Sequence, residues 1–205
     1  MFLNDQGYLL RKADSGESHL LLVVFLQENG LRHVLARKRT RPQPGSHLPD
    51  LFDLGEFSIE QKDPARPAFL REFSPSRRFE GISRHYANLT AASRLTRFYE
   101  RNLIHLEHFA PVWELLGQAL QGLAEKPEPE LILFKALYVF ARSEGYPVRA
   151  QWLESRPRDM REAMLTALRA APGDQPLDKE VLREWTADLC RFFQNSTDLL
   201  PPDLP

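Results

Sequence analysis

GYLLRKADSGESHLLLVVFL, Gly7 to Leu26, is the stretch whose reading decides the fold of the first third of the chain. Gly7–Lys12 and Ser18–Leu26 are rich in residues that suit a half-buried sheet, and Ser15-Gly16 marks the turn between them. Immediately downstream, Gln27-Glu28-Asn29-Gly30 is a hairpin signal, because Asn-Gly supplies the positive φ that a tight turn requires. Leu31–Ala36 is then a third strand. Phe52–Gln61 is apolar at Phe52, Leu54, Phe57 and Ile59 and reads as a fourth, and Ala68–Phe73 reads as a short fifth. Pro42, Pro44, Gly45 and Pro49 make Arg37–Leu51 a loop, and Asp63–Pro67 is a second loop. Five short strands in about 75 residues fit a small barrel or a sandwich fragment; a barrel is favoured because it closes the exposed edges.

Beyond residue 85 the period changes from two to three and four. Helices are expected over residues 86–106, 109–123, 130–144, 158–170 and 178–194, with Pro111 suited to a first helical turn and Gly145 and Pro147 as a stop. The break falls at Ser74-Pro75-Ser76-Arg77-Arg78. The expectation is an α+β chain: a five-stranded barrel over residues 1–76 and a helical domain over 77–205. The longest apolar run, Leu20–Leu26, has seven residues, far short of the roughly 20 of a membrane span. No signal peptide is visible at the N-terminus, and the single cysteine, Cys190, excludes an intrachain disulfide. A reducing, cytoplasmic setting is expected.

The net charge is −1, which is not that of a globally basic nucleic-acid binder. Charge is instead local. Leu31–Gly45 carries Arg32, Arg37, Lys38, Arg39 and Arg41 with no acid, and Arg11 and Lys12 form a second basic pair. Such a stripe can bind a polyanion, because phosphate contacts are local; the alternative is a solvated loop. Tyr8 and His33 are candidate stacking groups, although Tyr8 also suits a strand core. Signs of catalysis are absent. His105 and His108, three apart on an expected helix, lack a third ligand. Ser15-Gly16-Glu17-Ser18 lacks the order of a nucleophile turn, and no glycine-rich phosphate cradle is present. Asp50 and Asp53 flank a plain loop-to-strand junction, and Cys190 reads as a buried small apolar residue. Neither an enzyme nor a cofactor is expected.

These pieces resemble one family. Gly7–Ser18 followed by His19–Leu26 is similar to the opening of the bacterial recombination mediators of the RecO family: an apolar strand ending in a basic residue, a Gly-Glu-Ser turn, then an apolar strand. Glu28-Asn29-Gly30 through Val34-Leu35-Ala36-Arg37-Lys38 resembles that family's third strand and basic loop, and Leu51-Phe52-Asp53-Leu54 its return to the fourth strand. Tyr86–Leu95 and Pro129–Pro147 resemble its helical bundle. The resemblance covers roughly residues 7–150. It implies an OB-fold followed by helices, binding of single- and double-stranded DNA, annealing of complementary strands and help in loading recombinase. It also implies two partners, RecR and the acidic C-terminal tail of single-stranded-DNA-binding protein. For that tail, Trp113, Phe134, Trp152, Arg142 and Arg149 are possible pocket material. Many members carry a four-cysteine zinc site after the Gly-Tyr segment; Arg149–Arg169 here contains no cysteine. DNA contacts are expected from Arg11, Lys12, Arg32, Arg37, Lys38, Arg39 and Arg41. The rival expectations are a generic single-strand nucleic-acid binder outside recombination, a non-catalytic adaptor that works through its helices, and an enzyme using the His105/His108 pair.

Overall fold

The structure, a computed structural model, describes residues 2–38, 48–62, 67–106, 108–171 and 177–202. Five strands, β1 (Phe2–Ser15), β2 (His19–Leu26), β3 (Gly30–Arg37), β4 (Leu54–Glu60) and β5 (Ala68–Arg77), close into a barrel in the order β1-β2-β3-β5-β4. All pairings are antiparallel except β3 with β5. This is the OB-type barrel expected, and a helical region follows it. Alternation places Leu22, Val24 and Leu26 of β2, Val34 and Ala36 of β3, and Phe57 and Ile59 of β4 inside, with Leu9, Ala68 and Phe73. The Phe57 and Phe73 rings, 4.7 Å apart, fill the centre.

The chain divides into two compact units. The first is Met1–Phe79 with Tyr99–Phe109, and the second is Glu80–Phe98 with Ala110–Pro205. The first unit therefore takes in a segment from well beyond the strands. The reason lies on β2. Val23 and Phe25 point out of the barrel yet are fully buried, because Tyr99 and Phe109 pack on Phe25 with ring centroids 6.2 and 5.9 Å away. Gly30 completes this packing. Its φ is +67°, and a Cβ there would lie 2.5 Å from the Phe109 ring, so both the turn and the close approach require glycine.

Two strands are longer than their apolar patterns predict. β1 begins at Phe2 and bulges between Leu9 and Arg11, and β5 runs on to Arg77 with the register slipping between Ser58 and Ile59 of β4. The bulge is held by the β4 approach: Leu9 N–H donates to Asp53 O (3.0 Å) and Phe52 N–H to Leu9 O (2.9 Å). Phe52, buried, sits there at φ 71°, a left-handed conformation that is uncommon for a bulky residue. The fourth strand thus starts at Leu54, and Phe52 belongs to the turn before it.

The helices are α1 (Tyr86–Asn102), α2 (Ala110–Glu125), α3 (Pro129–Ser143), α4 (Arg158–Arg169) and α5 (Lys179–Ser196). In the second unit, Phe98 packs between Phe140 and Phe193, and Phe134 lies near Trp152 and Trp185. Gly145, at φ 82°, ends α3 as the sequence predicts. The stretch after it was expected only as a stop, but Val148–Leu153 forms one π-helical turn that buries Val148, Trp152 and Leu153. Trp152 Nε1 donates to Asp188 (2.9 Å), which also pairs with Arg156 (3.2 Å). Helix α1 stops at Asn102, and a 3-10 turn over Leu103–His105 follows. No helix among the described residues is long and apolar enough to cross a membrane.

Two side chains give checkable consequences. Asp5 is buried, and its Oδ2 accepts from the Glu28 and Asn29 backbone N–H groups and from Asn29 Nδ2, at 3.1, 3.1 and 2.8 Å. Asp5→Ala should lower the unfolding free energy by about 1–2 kcal/mol in a urea titration, because turn donors near the surface regain water. Tyr146 donates to Asp198. Burial, then that hydrogen bond, pushes its phenol from 10.0 up to about 12. The folded state therefore holds this proton more tightly than the unfolded chain. The stability it adds is complete below about pH 10 and is lost as pH rises through about 12. Alkaline melting curves of Tyr146→Phe should fall less steeply over that window than those of the parent.

Candidate functional site

Strand register assembles one exposed patch on the outer face of the barrel. Because Leu22, Val24, Val34 and Ala36 face inward, His19 and Leu21 of β2 and His33, Leu35 and Arg37 of β3 face outward. Leu21 is opposite Leu35, Leu35 is opposite Phe69 of β5, Phe69 is opposite Glu60 of β4, and Glu60 is opposite Phe2 of β1. One row therefore crosses all five strands and carries two aromatic rings. His19 and Arg37, paired across β2 and β3, form the next row. His19 brings its ring edge-on to Phe69, with centroids 5.9 Å apart and planes at 69°. Ser18 Oγ and His19 Nδ1 are hydrogen-bonded at 2.9 Å, which fixes the imidazole.

The patch exposes large apolar surface. Phe2 is 69% exposed and Phe69 39%. Around these rings stand cations: Arg37, exposed and in no ion pair among the described residues, and Arg71, which pairs with the mostly buried Glu60. The chemistry on offer is a set of flat π faces beside guanidinium groups.

The expected DNA-contacting residues divide sharply. Arg37 lies in the patch. Arg32 is exposed on β3, on the parity that faces inward at Val34, and its guanidinium donates to Leu31 O (3.0 Å). Arg11 faces outward opposite Val23, but Glu100 takes its guanidinium in a bidentate pair at 2.8–3.0 Å, and that hydrogen bond raises its pKa. Lys12 donates to Pro49 O (3.1 Å) and lies 3.6 Å from Asp50. Lys38 pairs with Asp14 (2.7 Å) and donates to Gly16 O. Arg39 and Arg41 lie outside the described residues. Of the five described cations, three are thus in ion pairs and a fourth, Arg32, is hydrogen-bonded to a backbone carbonyl.

Other sequence candidates are placed as follows. Tyr8 is a core residue, 5% exposed and against Phe79, so it offers no stacking face; burial raises its pKa. His33 is exposed on the outer face. Asp53 is buried, and its carboxylate accepts the Asp50 N–H (2.9 Å), so the two aspartates build a turn. Burial raises the Asp53 pKa against that hydrogen bond and the charge of Arg78. His105 ends the 3-10 turn and His108 lies in the segment before α2, so the two share no helical face. Trp113, Phe134 and Trp152 are buried in the helical unit, whereas Arg142 and Arg149 are exposed.

An open groove of about 680 Å³ in the helical unit lies between α1, α3 and α5. Ala91, Leu133 and Ala187 supply apolar lining, and Arg94 and Arg183 supply cations. Arg183 is taken by Glu130 (3.0 Å) and Glu180 (2.5 Å), and Glu130 Oε2 is buried with no hydrogen bond among the described residues. The groove is therefore of mixed charge.

The sequence reading missed Phe2, Phe69 and His19. Phe69 stands between two inward residues, Ala68 and the partly buried Leu70, so a large apolar side chain at an outward position was the available signal. His19 was hidden by the apolar run it opens. No protein-family model matches the chain, and no curated protein matches it.

Cys190 is fully buried on α5, and burial pushes its thiol up to about 12. In the folded protein it should stay unmodified by a thiol reagent at about pH 8, and react stoichiometrically once denaturant is added.

Proposed function

We propose that the chain binds nucleic acid on the outer face of its barrel and acts without catalysis. The observation that carries this reading is the juxtaposition of Arg37 with the His19–Phe69 pair on β2, β3 and β5. Guanidinium groups neutralise phosphate and exposed rings accept bases, which is the pairing of chemistries that nucleic-acid grooves use. The resemblance to the RecO family narrows the reading to a DNA-repair protein of the recombination-mediator type. It would bind single- and double-stranded DNA, anneal complementary strands and help load recombinase onto DNA coated with single-strand-binding protein, in the cytoplasm. RecR and the acidic tail of that binding protein are its proposed partners on the resemblance alone. The mixed charge of the helical groove does not favour an acidic peptide there.

A second reading has one observation in its favour. Arg11, Lys12 and Lys38 are engaged by the protein's own groups, which suits an adaptor whose basic segments are structural.

Fluorescence anisotropy of a labelled single-stranded oligonucleotide separates the two. Arg37→Glu should weaken binding about tenfold at low salt and flatten the log–log salt dependence by about 0.7, the share of one phosphate contact on a single strand. Annealing of two complementary labelled strands should slow in parallel. Binding untouched by the reversal would remove the outer face as the ligand site, and absence of binding at low salt would leave the adaptor.

A further inference from the structure

We infer that the outer face reads unpaired bases, with Phe69 as the residue that sets a preference for single strands over duplex. This rests on the nucleic-acid reading and adds to it the strandedness of the ligand and the group that selects it.

The argument starts from exposure. An outward position on a barrel strand gains nothing from a phenyl ring unless something covers it, yet Phe69 and Phe2 both stand exposed on one face. They are not scattered. Both are register partners of Glu60, so their Cα atoms are two strand spacings apart, roughly 10 Å. Phe69 is also held in place. It belongs to the short β3–β5 ladder through Leu35, and the His19 ring supports one side of it, itself fixed by Ser18. A rigid, supported ring with an open face is a stacking platform, because every base presents a π face whatever its sequence.

Charge favours the same ligand. Glu60 lies between the two rings and neutralises Arg71, leaving Arg37 as the cation of this patch with no ion pair among the described residues. A duplex presents phosphate ridges and keeps its base faces stacked inside, so among the described residues of this patch it would meet only Arg37 outside an ion pair. A single strand can turn its bases onto the rings and lay its backbone toward Arg37.

The experiment measures affinity of the full chain for a single-stranded oligonucleotide and for the same sequence as a duplex. The variants are Phe69→Ala, Phe69→Trp and Arg37→Glu, each with a melting curve. Phe69→Ala should weaken single-strand binding about ten- to hundredfold and leave duplex binding within twofold. Phe69→Trp should retain single-strand affinity, and its indole fluorescence should be quenched by the single strand and not by the duplex. Equal loss on both ligands, or no loss on either while Arg37→Glu still abolishes binding, would overturn stacking and keep the site. No effect from Arg37→Glu or from Phe69→Ala would overturn the nucleic-acid reading of this face as well.

Discussion

The barrel is closed by two residue pairs, Val34 with Ala68 and Leu35 with Phe69, in its one parallel ladder. Without them the sheet would have two open edges, β3 and β5, and an open edge is a template for unwanted pairing. β5 meets β3 with Ala68 and Phe69, which lie beyond the register slip between Ser58 and Ile59 of β4, and Phe69 keeps Glu60 as its partner on the other side. Alternation then assigns opposite jobs to neighbours. Ala68 turns in and adds to the core, and Phe69 turns out beside His19. The residue that joins the seam in backbone is the residue that the surface displays in side chain. This is why the candidate site sits at the closure and not elsewhere on the barrel.

A second constraint explains why so few of the chain's cations are available. β1 serves two neighbours, β4 with its first half and β2 along most of its length, and it bulges to do so. The bulge leaves Arg11 facing outward over the segment that covers Val23 and Phe25, where Glu100 takes it in two-pronged fashion. A bidentate, partly buried guanidinium–carboxylate pair has better geometry than an ordinary surface pair, and it opposes the release of that arginine to a phosphate. Lys12 and Lys38 are held near the C-terminal end of β1 by Pro49, Asp50, Gly16 and Asp14. Basic residues counted along a sequence overstate the charge a ligand meets, because acids distant in sequence arrive on folding.

That is also the limit of what the residues disclose before folding. Period-two alternation, the Asn29-Gly30 turn and the change of period after residue 85 are local patterns, and they give strands, hairpin and helices directly. Gly145 and Pro111 act as punctuation for the same reason. The bulge at Leu9–Arg11 is invisible to alternation, since it depends on a hydrogen bond donated by Phe52 N–H and one accepted by Asp53 O, more than forty residues away. The π-helical turn over Val148–Leu153 answers to the packing of Trp152 against Asp188 and Arg156. Phe52 holds a left-handed backbone that no propensity would assign to it. The site was half legible: Arg37 stood out by charge. Phe69 and His19 are distant in sequence, and only the β2–β3–β5 register brings them together.

A protein of net charge −1 whose patch holds, among the described residues, one arginine outside an ion pair draws little affinity there from counterion release, which scales with the number of phosphates neutralised. On the proposed reading, the binding free energy must then come largely from base contacts, and those exist only where bases are unpaired. The balance has a kinetic side. Electrostatic attraction chiefly accelerates encounter, whereas stacked contacts chiefly slow departure, and each stacked base can leave separately from the next. A surface with few ionic anchors and a small number of aromatic ones holds a strand by contacts that are lost when that strand finds its complement, because pairing withdraws the base faces. Such a surface would release its ligand on annealing without any chemical step. A strongly basic barrel would instead keep hold of the duplex product. On the proposed reading, the internal pairing of Arg11, Lys12 and Lys38 would therefore do more than stabilise the barrel, since it would keep the outer face selective for the unpaired state.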